Sequence, residues 1–405
     1  MARYEGEIDI NNVFELRCKP TCYFGVGAIN KIDDIFKEFV DKGMKNVLFV
    51  TGKSSYKKCG AWDVVEKSLE KYDMNYAIYN KVSPNPTVDM IDEAVALGRE
   101  INADIVVGIG GGSPIDTAKG VAVLLEYPNE DGRSLYEYKF TPEKAKPIVA
   151  INTTHGTGTE VDRFAVANIP EKNYKPALVA ECIYPKYSID DPALLTGLPK
   201  KQTLATTIDA LNHVTEAATT ITRSPYSIDL ARRTIEIIAK YLPIALEEPK
   251  NLEARYWLLY ASAIAGIAFN NGLLHYTHAL EHPLSGINPE VTHGIGLGVL
   301  LPAVIKHCHK ALPKTFAHIY EPIVEDVKKA EEDGIYLAKQ VEQWLNSVGL
   351  TEKLPDLGFG EDDIPQLVDL AFNTPSLDLL LSLAPVEATR ERVEQIYRDS
   401  MKPIE

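Results

Sequence analysis

A membrane span is the first thing this sequence lacks. No run reaches the roughly 18 uncharged apolar residues that a span requires, and the stretch Met1 to Ile10 has no apolar signal-peptide core. The five cysteines, Cys18, Cys22, Cys59, Cys182 and Cys308, are odd in number, scattered and without a CxxC pair, which excludes a disulfide framework and a zinc ribbon. A reducing cytoplasm is the expected compartment. Positive charge is not in excess either: 57 acidic against 42 basic residues leave a formal charge of -15, which argues against nucleic acid or an anionic membrane as partner. Glutamine is sparse, with five in the chain, a weak pointer to a thermophile, and repeats and low-complexity linkers are missing.

What is present is an ordinary globular composition, 45% hydrophobic and 24% charged, in a chain of 405 residues. That length exceeds one hydrophobic core, so two domains are expected, at 1–195 and 196–405. Up to about residue 190, β-rich runs alternate with helical patterns. Asn46–Thr51 precedes a helix from Trp62, Asn75–Tyr79 a helix from Val88, and Ile105–Gly108 a helix from Pro114. Such alternation predicts βαβ units with right-handed crossovers. From Pro199 onward the periodicity is helical, with breaks expected at Pro225, Pro243, Pro249, Pro283, Pro289, Pro302 and near Pro355. The fold class is therefore α/β plus all-α: a parallel-sheet nucleotide-binding domain, then an all-helical metal-binding one.

The sheet half carries Gly108-Ile-Gly-Gly-Gly-Ser-Pro-Ile-Asp-Thr-Ala-Lys119 directly after an apolar strand. Consecutive glycines are conformationally expensive, and a helix start with Pro114 in its first turn exposes unpaired N–H groups with no Cβ to hold a phosphate away. This reads as a phosphate cradle, against the plainer reading of a tight turn. It is neither the dinucleotide fingerprint, since Ser113 stands where the third Gly of GxGxxG falls, nor a P-loop, since no Gly-Lys-Ser/Thr ends it. A polar turn, Asn152 to Glu160, follows another strand and is placed to close over the same ligand.

Four metal-binding side chains, Asp209, His213, His278 and His293, fall within 85 residues. Asp209 and His213 are four apart in a helical stretch and project from one face; His278 and His282 repeat that spacing, and His293 opens a Gly-rich turn. Taken singly, each histidine reads as a packed core residue. As a set they would be costly in an apolar interior unless a cation gathers them. His275 reads as structural or outer-shell, and His307, His309 and His318 as solvated or core residues.

The motifs together resemble the iron-dependent alcohol dehydrogenase family: Gly110 to Asp116, the Thr-rich turn at 153–160, Asp209-Ala-Leu-Asn-His213, and Gly272 to Gly298 with its spaced histidines. The resemblance covers most of the chain to about residue 302 and implies a Rossmann-like domain before the helical one. It implies that Asp209, His213, His278 and His293 hold the metal, Fe2+ or possibly Zn2+, and that His282 helps to move a proton. Gly111, Gly112, Ser113 and Asp116 would then lie at the pyrophosphate loop, Thr153, Thr154 and Thr157 around ribose and nicotinamide, and Asn85 and Lys175 at further cofactor positions. Phe269, and with it Phe164, would line the substrate pocket.

At Val50-Thr-Gly-Lys-Ser-Ser55, family members that use NAD often place Asp where Gly52 stands. Gly52, Lys53, Ser54 and Ser55 offer donors and space instead, so NADP(H) is expected over NAD(H); the alternative is an ordinary polar loop. His155 occupies a position that is usually small, and the interval from His282 to His293 is one residue longer than usual. The implied chemistry is hydride transfer between nicotinamide and a small primary alcohol or aldehyde at a Lewis-acidic ion. A homodimer is expected on base rates. Rival readings are a glycerol-dehydrogenase-like zinc polyol enzyme, a dehydroquinate-synthase-like lyase, which would need a basic phosphate pocket for which Arg255 is the nearest candidate, and a non-enzymatic binding module.

Overall fold

Strand and helix alternate through the first half, and the strands assemble into one wholly parallel sheet. The computed structural model describes residues 3–9 and 15–405; Met1, Ala2 and Ile10 of the amino-terminal stretch read above lie outside the described residues. The elements of this half are β1 (Thr21–Phe24), α1 (Lys31–Asp41), β2 (Asn46–Gly52), α2 (Ser55–Lys58), α3 (Ala61–Lys71), β3 (Asn75–Val82), α4 (Val88–Glu100), β4 (Ile105–Gly110), α5 (Gly112–Leu124), α6 (Gly132–Tyr136), β5 (Ile148–Asn152), β6 (Phe164–Val166), β7 (Ala177–Val179) and β8 (Tyr187–Asp190). Six strands pair in the order β1-β8-β5-β4-β2-β3, while β6 and β7 form a separate antiparallel pair.

All six residues of β4 are buried, as expected of a parallel strand covered on both faces. Val47, Phe49, Ile105, Val107 and Ile109 pack with α1 and α3, whereas Leu48, Val50 and Val106 pack with α4 and α5. The connection from β2 runs outward through α3 to β3, and the one from β4 runs the other way through α5 to β5. The chains leaving β2 and β4 therefore part to opposite faces, and the crevice between their carboxyl ends is where such sheets bind ligands. The glycine loop at 110–112 and the Gly52 turn both stand there.

The second half is helical: α7 (Lys200–Ala217), α8 (Pro225–Glu247), α9 (Leu252–Gly272), α10 (Tyr276–Ile287), α11 (His293–Cys308), α12 (Pro313–Tyr320), α13 (Val327–Glu332), α14 (Gly334–Ser347), α15 (Ile364–Asn373), α16 (Leu377–Ser382) and α17 (Arg390–Asp399). Helix α7 is its centre, buried without a gap from Thr203 to Ala217. Among those buried residues Thr206, Asp209, His213 and Glu216 recur at helical spacing and make one polar stripe. Three expected breaks are not breaks: Pro243, Pro283 and Pro302 lie inside α8, α10 and α11. A proline costs a helix one hydrogen bond and crowds a carbonyl, but these helices are held by buried faces, such as Ile237, Ile238, Tyr241 and Leu242 around Pro243. The true break comes at Leu273, where α9 gives way to α10 with a bend of 107°. No single helix among the described residues is long and apolar enough to cross a membrane.

At one point the halves meet with no side chain between them. Gly158, at φ +64°, and Gly266 lie backbone to backbone: a Cβ on Gly266 would stand 2.6 Å from the Gly158 carbonyl. Beside them His155 turns away from the crevice. Its Nδ1 faces Thr207 Oγ1 at 3.1 Å, and its Nε2 accepts from Arg255 Nη1 at 2.7 Å. Arg255 also donates to the Leu198 and Pro249 carbonyls and to Thr203 Oγ1, so it braces the interface and is not available to a phosphate. Tyr4 packs with the helical core and Leu259 with the sheet's, so neighbouring elements are shared across residue 195.

Burial and the neighbouring Arg255 push the His155 imidazole down to about 3. An unfolded chain takes up that proton near pH 6.5, so the folded state loses stability as pH falls from there toward 3. His155→Gln, whose amide can still accept from Arg255, should make the slope of unfolding free energy against pH shallower by about 1.4 kcal/mol per unit between pH 6 and 4. Denaturant titrations across that range read the slope, and an unaltered slope would show that His155 is free to charge.

Candidate metal centre and nucleotide crevice

The polar stripe of α7 faces the amino-terminal ends of α10 and α11, and the four metal-ligand candidates converge there. Asp209 Oδ1 lies 3.4 Å from His213 Nε2, 3.6 Å from His278 Nε2 and 3.8 Å from His293 Nε2. These separations are long for hydrogen bonds but close to the ~3.4 Å edge of a tetrahedron built on bonds of about 2.1 Å. Asp209 Oδ1 and His278 Nε2 are buried with no hydrogen-bond partner among the described residues. Buried polar atoms are seldom left so, and a divalent cation among these donors would satisfy both. The ligand atoms of Asp209, His278 and His293 all lie within 4.8 Å of one another, and the rings of His213 and His278 stack at 4.7 Å. Burial alone would raise the Asp209 carboxyl, but the surrounding imidazoles outweigh it and hold the group far below the usual carboxylate range.

Two carboxylates that the sequence reading passed over hold the imidazoles in place. Glu216, fully buried in α7, accepts through Oε1 from the backbone amides of His275 (3.0 Å), Thr277 (2.8 Å) and His278 (3.3 Å), while its Oε2 accepts a hydrogen bond from the Nδ1–H of His278. Helix α10 has no side-chain cap of its own, so a residue of α7 serves as its cap. The same contact leaves His278 Nε2 as the nitrogen facing Asp209, the carboxylate–imidazole pairing that orients metal ligands. Burial is outweighed by His278, and Glu216 falls to about 2, while Glu216 and Asp209 lift His278 to about 9. Glu281 Oε2 does for His293 Nδ1 what Glu216 does for His278. The signal was present as a repeated His-x-x-Glu, His213 with Glu216 and His278 with Glu281, but the pairing is crossed: neither Glu serves the His of its own motif. His275 lies outside the ligand cluster, its Nε2 beside Thr219 Oγ1 at 2.8 Å.

His282 stands one turn beyond His278, its ring 5.7 Å from that of His293. Its Nδ1 donates to the Lys175 carbonyl at 2.8 Å, and burial with Lys175 nearby depresses its proton affinity strongly. The ring is thus neutral with Nε2 unprotonated. Lys175 Nζ reaches Ser285 Oγ (2.8 Å), Asn85 Oδ1 (3.2 Å) and Glu281 Oε2 (3.5 Å). Asn85 in turn donates to the Pro289 and Val291 carbonyls. Both residues, expected at cofactor positions, brace the sheet half against the turn that leads to His293.

In the crevice the glycine loop and the Thr-rich turn form one surface. Thr153 N donates to the Gly110 carbonyl at 2.9 Å, and a Cβ on Gly111 or Gly112 would stand 2.7 Å from Thr154 Cγ2 or 2.6 Å from Thr157 Cγ2. Helix α5 opens at Gly112, with Ser113 half-buried and Pro114 buried in its first turn. Asp116 points elsewhere: its oxygens accept from Thr159 Oγ1 at 2.6 Å and Val166 N at 3.0 Å. At the end of β2, Gly52, Ser54 and Ser55 accompany exposed Lys53, Lys57 and Lys58. Phe269 stacks on His213 at 4.5 Å and meets Phe164 at 5.3 Å, so an apolar wall adjoins the ligand candidates.

Comparison with known proteins agrees with this geometry. Residues 20–192 match the model of the iron-containing alcohol dehydrogenases, and residues 203–401 match that of the Fe-containing alcohol dehydrogenase family, C-terminal. The long-chain primary alcohol dehydrogenase AdhA of Thermoanaerobacter ethanolicus is 62% identical, over 98% of this chain and 100% of its own. NADH-dependent butanol dehydrogenase B of Clostridium acetobutylicum is 32% identical over 96% of this chain and 99% of its own. Among solved structures, NADH-dependent butanol dehydrogenase A of Thermotoga maritima superposes with a TM-score of 0.87 at 30% identity, covering 96% of this chain and 99% of that one.

Chelator-stripped protein refilled without oxygen should bind one Fe2+ or Zn2+ per chain, and Asp209→Ala should bind none, as read by elemental analysis. Because His278 must shed the proton it holds up to about pH 9, affinity should rise with pH across the neutral range. Glu216→Gln should weaken binding by roughly 10–100-fold in a chelator competition. Stoichiometric metal in Asp209→Ala would remove the ion from this cluster.

Proposed function

Because this chain belongs to the iron-containing alcohol dehydrogenase family, we propose that it interconverts primary alcohols and aldehydes with NADP(H) as preferred cofactor and Fe2+ in the Asp209 cluster. The observation that carries the reading is the buried pair Asp209 Oδ1 and His278 Nε2, unpartnered among the described residues, with Phe269 stacked on the neighbouring His213. A divalent ion held by one carboxylate and three imidazoles supplies Lewis-acid stabilisation of negative charge on the substrate oxygen, and a nicotinamide supplies the hydride acceptor. Zn2+ is the competing ion, since imidazole donors suit it as well.

The protein's own groups do the rest. Glu216 and Glu281 hold the imidazoles with Nε2 toward Asp209, and Phe269 and Phe164 exclude water from the face where the alcohol carbon would sit. His282, anchored through Nδ1, offers Nε2 to take the hydroxyl proton during oxidation and to return it during reduction. Arg255 is committed to His155 and to backbone carbonyls, so the lyase alternative lacks its phosphate-binding base. A primary alcohol is supported by the relatives' names, the long-chain primary alcohol dehydrogenase among them. A homodimer is the proposed assembly, on the general preference for two-fold symmetry.

The cofactor preference rests on the β2 terminus, where Gly52 leaves space and Lys53, Lys57 and Lys58 bring positive charge. It departs from relatives named as NAD- or NADH-dependent. Gly52→Asp should lower the ratio of kcat/KM for NADP+ over NAD+ by about tenfold or more, since a carboxylate there binds a ribose hydroxyl and repels a phosphate. A ratio already favouring NAD+ in the parent enzyme would overturn the preference and leave the reaction intact. His282→Ala should lower kcat by roughly 100-fold with metal content unchanged; a full-rate variant would mean that the proton leaves by another route.

A further inference from the structure

The Thr-rich turn is gripped at both ends by one strand. Strand β8 lies between β1 and β5, and its Ser188 and Asp190, two residues apart, project from one face. Ser188 Oγ donates to the Glu160 carbonyl at the end of the turn. At the start of the turn, Asn152 Nδ2 donates to Asp190 Oδ1 at 3.1 Å, between two residues that the β5–β8 register sets side by side. Asn152 Oδ1 accepts in turn from Thr154 N at 3.0 Å, the local bond by which an asparagine shapes the chain two residues on.

Burying the Asp190 carboxylate is unfavourable, and its surroundings do little to offset that. The side chain is wholly buried and accepts from the Asn152 amide and from Cys22 Sγ at 3.3 Å, with no basic partner among the described residues. Burial pushes the group up to about 6, so at higher pH it is ionised and can only accept. Thr154 N can only donate. Asp190 and Thr154 therefore dictate a single orientation of the amide between them, with its nitrogen toward β8 and its oxygen toward the turn. The residues so fixed bear on the glycine loop: Thr153 N donates to the Gly110 carbonyl at 2.9 Å, and a Cβ on Gly111 would stand 2.7 Å from Thr154 Cγ2.

We infer that Asp190 is a positioning residue for the nucleotide: through Asn152 it sets Thr153 and Thr154 against the glycine loop and so shapes the place that receives ribose and nicotinamide. The inference rests on the cofactor reading above. A buried carboxylate that serves one amide has its use in the orientation it imposes, since a backbone turn held by Asn152 alone could lose the Thr154 bond by rotation of that amide.

The test is nucleotide binding by the metal-loaded enzyme at about pH 8, where Asp190 is ionised, read from NADPH and NADH fluorescence and joined to steady-state kinetics on 1-butanol. Asp190→Ala should raise nucleotide Kd and KM about tenfold, the worth of one charge-assisted hydrogen bond, while KM for 1-butanol and metal content stay within about twofold. Asp190→Asn, whose amide oxygen can still accept from Asn152, should stay within about threefold of wild type. Asn152→Ala should match Asp190→Ala, and the double variant should bind no worse than either, because both remove one linkage. Melting temperatures monitor folding, and Asn152→Ala carries the test should Asp190→Ala fail to fold. Unchanged nucleotide Kd in the folded variants, losses that add in the double variant, or an equal fall in alcohol and nucleotide binding overturns the positioning role. A wild type that binds neither nucleotide overturns the dehydrogenase reading itself.

Discussion

The arrangement of the catalytic half depends on one buried carboxylate. Glu216 is a full turn past His213 on α7, has no exposure to solvent, and spends one oxygen on three amides of α10 and the other on His278. Burying that charge would be prohibitive without those donors, and with them it becomes the joint that fixes α10 to α7. Since α9 turns by 107° immediately before α10, the direction of α10 is not inherited from the preceding helix. The hydrogen bonds to Glu216 set it, and with it the direction in which His278 and His282 project.

Several features of this arrangement were legible in the chain and others were not, for physical reasons that differ. Asp209 with His213, and His278 with His282, declare themselves because an i, i+4 spacing is a local property of a helix. The glycine loop declares itself because three adjacent glycines are costly without a purpose. The prolines misled, since a proline's local penalty says nothing about the buried contacts that keep α8, α10 and α11 continuous across Pro243, Pro283 and Pro302. Glu216 and Glu281 were overlooked because each partner lies on a different helix from the one its own motif suggests, and crossed pairing is a tertiary fact.

His155 shows the same limit from the other side. An imidazole in the middle of a Thr-rich turn invites a place in the crevice, yet its ring is drawn inward by Arg255 and Thr207 and belongs to the contact between the halves. Arg255 in turn is a guanidinium fixed by carbonyls, a hydroxyl and a neutral imidazole, with no carboxylate partner among the described residues. Lys175 and Asn85 add a further brace at the far side of the crevice. The two halves are thus held together by polar contacts, by the close backbone approach of Gly158 and Gly266, and by Leu259 packed into the sheet's core.

All four convergent donors, Asp209, His213, His278 and His293, are borne by the helical half, whereas the glycine loop and the Gly52 turn are borne by the sheet. An enzyme that trades its nucleotide once per cycle must let that molecule go as often as it completes a reaction. On the proposed reading, dividing the two duties between separate layers of the chain would let the exchangeable partner depart while the ion stayed caged.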